Sequence, residues 1–159
     1  MPSDVSRYVT GAPVRGRWFD ELRVGEAFAS TVAISEALLD TSAALLADFN
    51  PLHVDHEFAR KSRFGGRILH GMMTSALMGG PVGMHFHGTA IAYLEHNARF
   101  LAPVRPGDTL TIAWTIEELV PKPKHGGGIA VLAGSATNQD GVVAAEATGR
   151  IMVFARPPA

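Results

Sequence analysis

"TLTIAWTIE", residues 109–117, decides the fold class. Leu110, Ile112, Trp114 and Ile116 alternate with Thr109, Thr111, Thr115 and Glu117. A period of two puts the apolar set on one face of a strand and the polar set on the other. Such a strand is half-buried, so its apolar face needs a cover. Downstream, "GIAVLAGSAT" (128–137) and "VVAAEATGRIMVFA" (142–155) read as further strands. They are joined through Asn138-Gln139-Asp140-Gly141, whose Asp-Gly favours a hairpin turn. Upstream, "AYLEHNARFLAPV" (92–104) leads into Pro106-Gly107-Asp108, and "AFASTVA" (27–33) is a short strand. "EHNARF" within the former is read as an outward strand face, with contact from His96 or Asn97 to a polar part of a ligand as the alternative.

The cover lies between the first strand and the rest. Ser35 is a good N-cap for a helix through about Ala47, with Leu38, Leu45, Leu46 and Phe49 roughly on one face. Pro51 is expected to cut that helix off. A helical turn near 56–62 leads to Gly65-Gly66 and then "RILHGMMTSALMGG" (67–80), a helix whose far end blurs near Pro81. One strand, a helical section and an antiparallel meander make an α+β domain with its helices on one side of the sheet. Residues 1–16 lack periodicity and read as an arm, leaving 17–159 as a single domain.

Composition excludes several function classes. Apolar residues make up 47% and charged residues 18%, which suits a folded domain rather than a disordered chain. The net charge is −1 without any basic run, so no nucleic-acid partner is expected. With no cysteine there is no disulfide, thiolate metal site or cysteine nucleophile. No apolar stretch reaches membrane-spanning length, and the first fifteen residues lack the apolar core of a signal peptide. No membrane partner is expected, and the expected location is cytoplasmic. Of the seven histidines, His53/His56 and "HFH" (85–87) invite a metal reading. His85 and His87 would share one strand face, but no carboxylate adjoins them, and no metal is expected.

"DFNPLHVD" (48–55) holds the first chemically unusual pair, Asp48 and His53. Five residues of continuous helix would leave their side chains about 140° apart. Pro51 forbids that helix, and a bend held by Asn50 can fold His53 back towards Asp48. A carboxylate and an imidazole that converge can hold one water between them. In "FGGRILHGMMTSALMGG" (64–80), Gly71, Ser75 and Gly79 recur at i, i+4 and i+8, an almost bare helix face. Gly71 falls in the first turn, where N–H groups lack helical partners and the macrodipole is positive. Such an N–H can stabilise an oxyanion. The competing reading is a small-residue face that lets the sheet pack closely.

Together these segments, with "WFDELRVGEAF" (18–28) and "FLAPVRPGDTL" (100–110), resemble the MaoC-like group of (R)-specific enoyl-CoA hydratases and acyl dehydratases. The resemblance spans roughly residues 18–155. It implies the hot-dog fold, a central helix wrapped by an antiparallel sheet, with two subunits forming a continuous sheet in a homodimer or larger assembly. It also implies reversible hydration of a trans-2-enoyl thioester, carried by CoA or an acyl carrier protein, to the (R)-3-hydroxyacyl thioester. Asp48 and His53 would then be the catalytic pair and the Gly71 N–H the oxyanion donor, with no cofactor. Asn50 would shape the bend, and His70 would be structural support. Some members carry a hydroxyl or amide two turns after the motif glycine, where this chain has Gly79, which leaves Ser75 as the supporting candidate. The rival activities are a hot-dog thioesterase or fatty-acid-synthesis-type dehydratase, and a non-catalytic acyl-thioester binder. The first two commonly place an acid on the central helix, and residues 70–94 contain no Asp or Glu.

Overall fold

The computed structural model describes residues 16–157. The expected arm lies outside that range except for Gly16, whose N–H donates to the His87 carbonyl (2.7 Å). After a 3-10 turn at Phe19–Glu21, the chain forms β1 (Ala27–Ala33) and α1 (Glu36–Leu46). Two short helices follow, α2 (Pro51–Val54) and α3 (His56–Lys61), and then α4 (Gly71–His85). The meander is β2 (Ala90–Phe100), β3 (Thr109–Lys122), β4 (Gly127–Thr137) and β5 (Val143–Phe154), with a 3-10 turn at Pro123–His125 between β3 and β4. The five strands form one antiparallel sheet in the order β1-β3-β4-β5-β2.

The alternating strand behaves as its pattern requires. Leu110, Ile112, Trp114 and Ile116 are at most 1% exposed. They meet Ala130, Leu132 and Ala136 of β4, Ala145, Ala147, Ile151 and Val153 of β5, and Met73, Met78 and Val82 of α4. The indole Nε1–H of Trp114 donates to the Met78 carbonyl (2.9 Å), which ties the sheet to α4 at one height. Gly134 makes room for that indole, since a Cβ there would collide with its ring. The predicted hairpin turn is present: Asn138 Oδ1 accepts from the N–H groups of Asp140 and Val142, and Gly141 takes φ +79°.

Several sequence expectations need correction. α1 is capped by Ser35, whose hydroxyl accepts from the Leu38 N–H (3.1 Å), but its buried face is Leu39, Ser42 and Ala43. Leu45, Leu46 and Phe49 are exposed instead, because the i, i+3, i+4 set that meets the core begins one residue later than the leucines suggest. Pro51 does not end α1. That helix stops at Ala47 in the left-handed region (φ +52°), and Pro51 opens α2 as its first residue. α4 does not fade near Pro81 but continues through it to His85, so His85 ends a helix and does not share a strand with His87. The bare face of α4 is not explained by close packing either. A Cβ on Gly71 would sit 3.2 Å from the Phe100 ring, whereas one on Gly79, Gly80 or Gly83 would meet nothing within 4 Å.

Replacing Trp114 with Phe removes the donor to Met78 and empties space beside Gly134. The expected loss is about 2 kcal/mol of unfolding free energy. Urea denaturation of the variant against the parent protein measures it.

Candidate active site

The turn at 47–53 is assembled from local rules. Ala47 is the one non-glycine residue with positive φ among the described residues, and it reverses the chain at the end of α1. The Asp48 N–H then reaches back to the Ala43 carbonyl (3.1 Å). The Asn50 N–H donates to Asp48 Oδ1, and Asn50 Oδ1 accepts from the Leu52 N–H, both at 3.1 Å. Asn50 is thus the N-cap of α2 and also fixes the Asp48 carboxylate. The single turn of α2 swings His53 back over the segment that enters α4.

That segment is itself pinned. Arg67 is buried, with its guanidinium 2.7 Å from Asp40 and 3.2 Å from Glu36 of α1. The Ile68 N–H donates to the Leu52 carbonyl (3.2 Å), and the Leu69 N–H to the Val104 carbonyl (2.8 Å). Two imidazoles then lock onto the backbone. His53 Nδ1 lies 2.8 Å from the Ile68 carbonyl, and His70 Nε2 lies 2.9 Å from the Asp48 carbonyl. A carbonyl only accepts, so each of those nitrogens carries its hydrogen. In neutral His53 the lone pair is therefore on Nε2. The two rings stack at 3.7 Å with an interplanar angle of 26°.

Asp48, His53 and His70 consequently bring one side-chain nitrogen or oxygen each to within 4.8 Å of one another. His70 Nε2 is 4.0 Å from Asp48 Oδ2. His70 is fully buried, whereas Asp48 is half-exposed, so the cluster opens to solvent on the carboxylate side. These are also the residues able to hold a cation. A metal would have to compete for His70 Nε2 with the Asp48 carbonyl, and His70 Nδ1 is buried without a hydrogen-bond partner among the described residues. His85, from the motif that invited a metal reading, stacks on Phe28 at 3.9 Å with Nε2 3.2 Å from Glu26.

Gly71 is the first residue of α4, so its N–H belongs to the unpaired first turn. His53, Gly71, Thr74 and Phe100 border a cavity of about 290 Å³ whose outer wall includes Arg63 and Phe64. A larger hollow of about 460 Å³, with Asn97, Arg99, Glu146 and Thr148, lies on the opposite face of the sheet and holds no comparable set of groups. No hydrogen bond joins Ser75 to Asp48 among the described residues. Ser75 lines a second cavity of about 290 Å³ with Met72, Ala76, Gly79, Tyr93 and His96. Asn97 points outward and donates to Glu95 Oε1 (2.7 Å). His96, expected on the outward face, instead lies on the helix side.

The sequence profile of the MaoC like domain matches residues 23–132, a span that includes Asp48, His53 and Gly71. The chain belongs to the MaoC-like domain family. This MaoC-like chain is 34% identical over 107 residues to the (R)-specific enoyl-CoA hydratase of Rhodospirillum rubrum, covering 67% of this chain and 74% of that one. The R-hydratase PhaJ1 of Pseudomonas aeruginosa superposes with a TM-score of 0.77 at 30% identity, over 89% of this chain and 94% of that one. A Mycobacterium tuberculosis protein with a double hot-dog fold superposes at 0.81 with 21% identity, over 93% of this chain and 47% of that one. The fold of the MaoC-like domain described above is thus the hot dog, with α4 as its central helix.

Sequence reasoning missed the hydrogen bond from His70 to the Asp48 carbonyl. The histidine directly before the helix glycine was its only signal, and it carried no information about what the ring would reach. The reversal at Ala47 had no signal at all, since alanine seldom adopts positive φ.

Burial lowers the pKa of His85 and of His96 below the ordinary 6.5, in His85 against the opposing pull of Glu26. Both groups therefore take up protons more readily in the unfolded chain. Their contribution to stability is intact above about pH 6.5 and is lost as pH falls through the depressed folded values. The Tm is expected to drop from pH 7 to 5, less steeply in a His85→Phe, His96→Leu double variant. Equal slopes would show that other groups set the acid limit.

Proposed function

We propose that the protein catalyses reversible hydration of a trans-2-enoyl-CoA to the (R)-3-hydroxyacyl-CoA. The observation that carries this reading is the convergence of Asp48 and His53 beside the Gly71 end of α4, with His53 and Gly71 opening onto one cavity. The named activities of the Rhodospirillum rubrum and Pseudomonas aeruginosa relatives support it.

The chemistry follows from which atoms can accept. An ionised Asp48 accepts only, and neutral His53 accepts through Nε2 because Nδ1 is committed to Ile68. A water between them therefore donates both hydrogens and turns its oxygen lone pair outward to the electrophilic β-carbon of the enoyl thioester. The thioester oxygen accepts from the Gly71 N–H, where the helix dipole favours the negative charge of the enolate-like state. As the C–O bond forms, one proton leaves the water for the Asp48–His53 pair, and the pair supplies one proton to the α-carbon. The pair ends the cycle unchanged, and the sum is addition of H and OH across the double bond. Asn50 holds Asp48, and His70 holds the backbone on which Asp48 sits. The absence of Asp and Glu from α4 argues against an acid on the central helix and hence against the thioesterase reading.

Loss of the enoyl absorbance of a trans-2-enoyl-CoA reports the reaction directly. Asp48→Asn and His53→Ala are each expected to lower kcat by about 10²–10⁴-fold. Full activity in both would sink the assignment. Gly71→Pro removes the oxyanion donor, and Gly71→Ala, which keeps the N–H but places the same Cβ against the Phe100 ring, is its control. Proline is tolerated at the first helical position, and His70 already has the extended backbone (φ −55°, ψ 133°) that precedes proline. With helicity unchanged by circular dichroism, kcat should fall by about 10²–10³-fold.

We further propose that the working unit is a homodimer joined along β2. That strand ends the sheet, and Ile91, Leu94, Phe100 and the neighbouring Met72 of α4 are exposed beside it. An unpaired edge flanked by apolar side chains is a template for a second copy. Light scattering at micromolar concentration should give twice the 16.9 kDa chain mass or a multiple of that, and a monomer would refute the arrangement.

A further inference from the structure

The small-residue face of α4 starts at the proposed oxyanion donor and runs down the helix through Ser75 to Gly79. At about 1.5 Å per residue, Gly79 lies roughly 12 Å beyond Gly71. Because a Cβ at Gly79 would touch nothing of its own chain within 4 Å, this glycine leaves space open within the protomer. The space is the second cavity, about 290 Å³, which faces Tyr93 and His96 of β2.

Those two side chains form a built polar pair. In a regular strand, residues three apart point to opposite faces. A register shift between Tyr93 and Glu95 puts Tyr93 opposite Ile151 and His96 opposite Gly149, so both fall on the helix side. The Tyr93 hydroxyl lies 2.8 Å from His96 Nδ1. Gly149 is required for this, since a Cβ there would come within 2.6 Å of the Tyr93 oxygen. With the phenol donating to Nδ1, the His96 hydrogen sits on Nε2, and Nε2 is buried without a hydrogen-bond partner among the described residues. Burial pushes the Tyr93 pKa up to about 12 and lowers that of His96, so both groups are neutral near pH 7.

We propose that this cavity is an acyl-chain subsite for substrates whose chain carries a hydroxyl or keto oxygen, which accepts from His96 Nε2–H. The inference rests on the reading of the protein as an enoyl-thioester hydratase and adds a substrate class to it. A purely alkyl chain would leave the imidazole donor unanswered, whereas a neutral oxygen satisfies it. His96 is then a specificity-determining residue, and Tyr93 is a positioning residue that fixes its tautomer.

The test compares two trans-2-enoyl-CoA substrates of equal length, one ending in methyl and one in a terminal hydroxyl, across a series of chain lengths. The two saturated acyl-CoA counterparts are compared by calorimetry. At the length that spans from Gly71 to His96, kcat/KM should favour the hydroxylated substrate by about tenfold, the discrimination expected of one net hydrogen bond. In His96→Leu that ratio should fall to about one. In Tyr93→Phe it should fall part of the way, and in His96→Gln, which keeps a donor, part of it should survive. If alkyl and hydroxylated substrates are hydrated alike at every length, or His96→Leu leaves the ratio unchanged, the subsite is refuted and the hydratase reading stands. If no enoyl-CoA is hydrated but the saturated hydroxyacyl-CoA binds about tenfold more tightly through His96, the subsite stands and the hydratase reading falls. Equal binding of the saturated pair together with absent hydration refutes both.

Discussion

The structure depends on one apolar sheet face closing over one helix. β3 supplies the face, α4 the cover, and the indole of Trp114 bonded to the Met78 carbonyl sets their relative height. That anchor lies in the middle of α4, so both ends of the helix are placed by it. The N-terminal end is carried to where the 64–70 segment meets Val104, and the chain must fold back over that point to cover it. The proposed active site is built at the place where these two requirements meet.

What assembles there is held mainly by side chains bonding to main chain. His53 is fixed by the Ile68 carbonyl, His70 by the Asp48 carbonyl, and the Asp48 carboxylate by the Asn50 N–H. Bonds to carbonyl oxygens leave no choice of tautomer, so the geometry also determines which imidazole nitrogen would face the proposed reaction. Only the carboxylate reaches far towards solvent, which gives water a way in on one side.

Legibility of these features in the sequence followed how local their causes were. The alternation over 109–117, the Ser35 cap and the Asp-Gly turn depend on neighbours in sequence and were read correctly. Convergence of Asp48 with His53 was legible as a possibility, because Pro51 rules out a continuous helix, though the proline starts a helix rather than stopping one. The far end of the α1 face was misread because Leu45, Leu46 and Phe49 suggest burial, while the core took Leu39, Ser42 and Ala43, with Leu38 packed at its margin. The inward turn of His96 was hidden by a register shift that no residue type announces. The role of Gly79 was hidden because a glycine that admits contact and a glycine that leaves a void look the same in a sequence.

Pro81 shows how α4 tolerates so irregular a composition. Its missing N–H deprives the Leu77 carbonyl of its helical partner, yet the ring is buried and the helix continues to His85. The far half of the helix is therefore stiffened by enclosure in the sheet more than by its own ladder of hydrogen bonds. A rod supported from outside can carry bare, glycine-rich turns that would fray in isolation. It can thus keep one end for the proposed reaction and leave its flank to the proposed acyl subsite, and side chains along that flank could be exchanged without disturbing the groups at its tip.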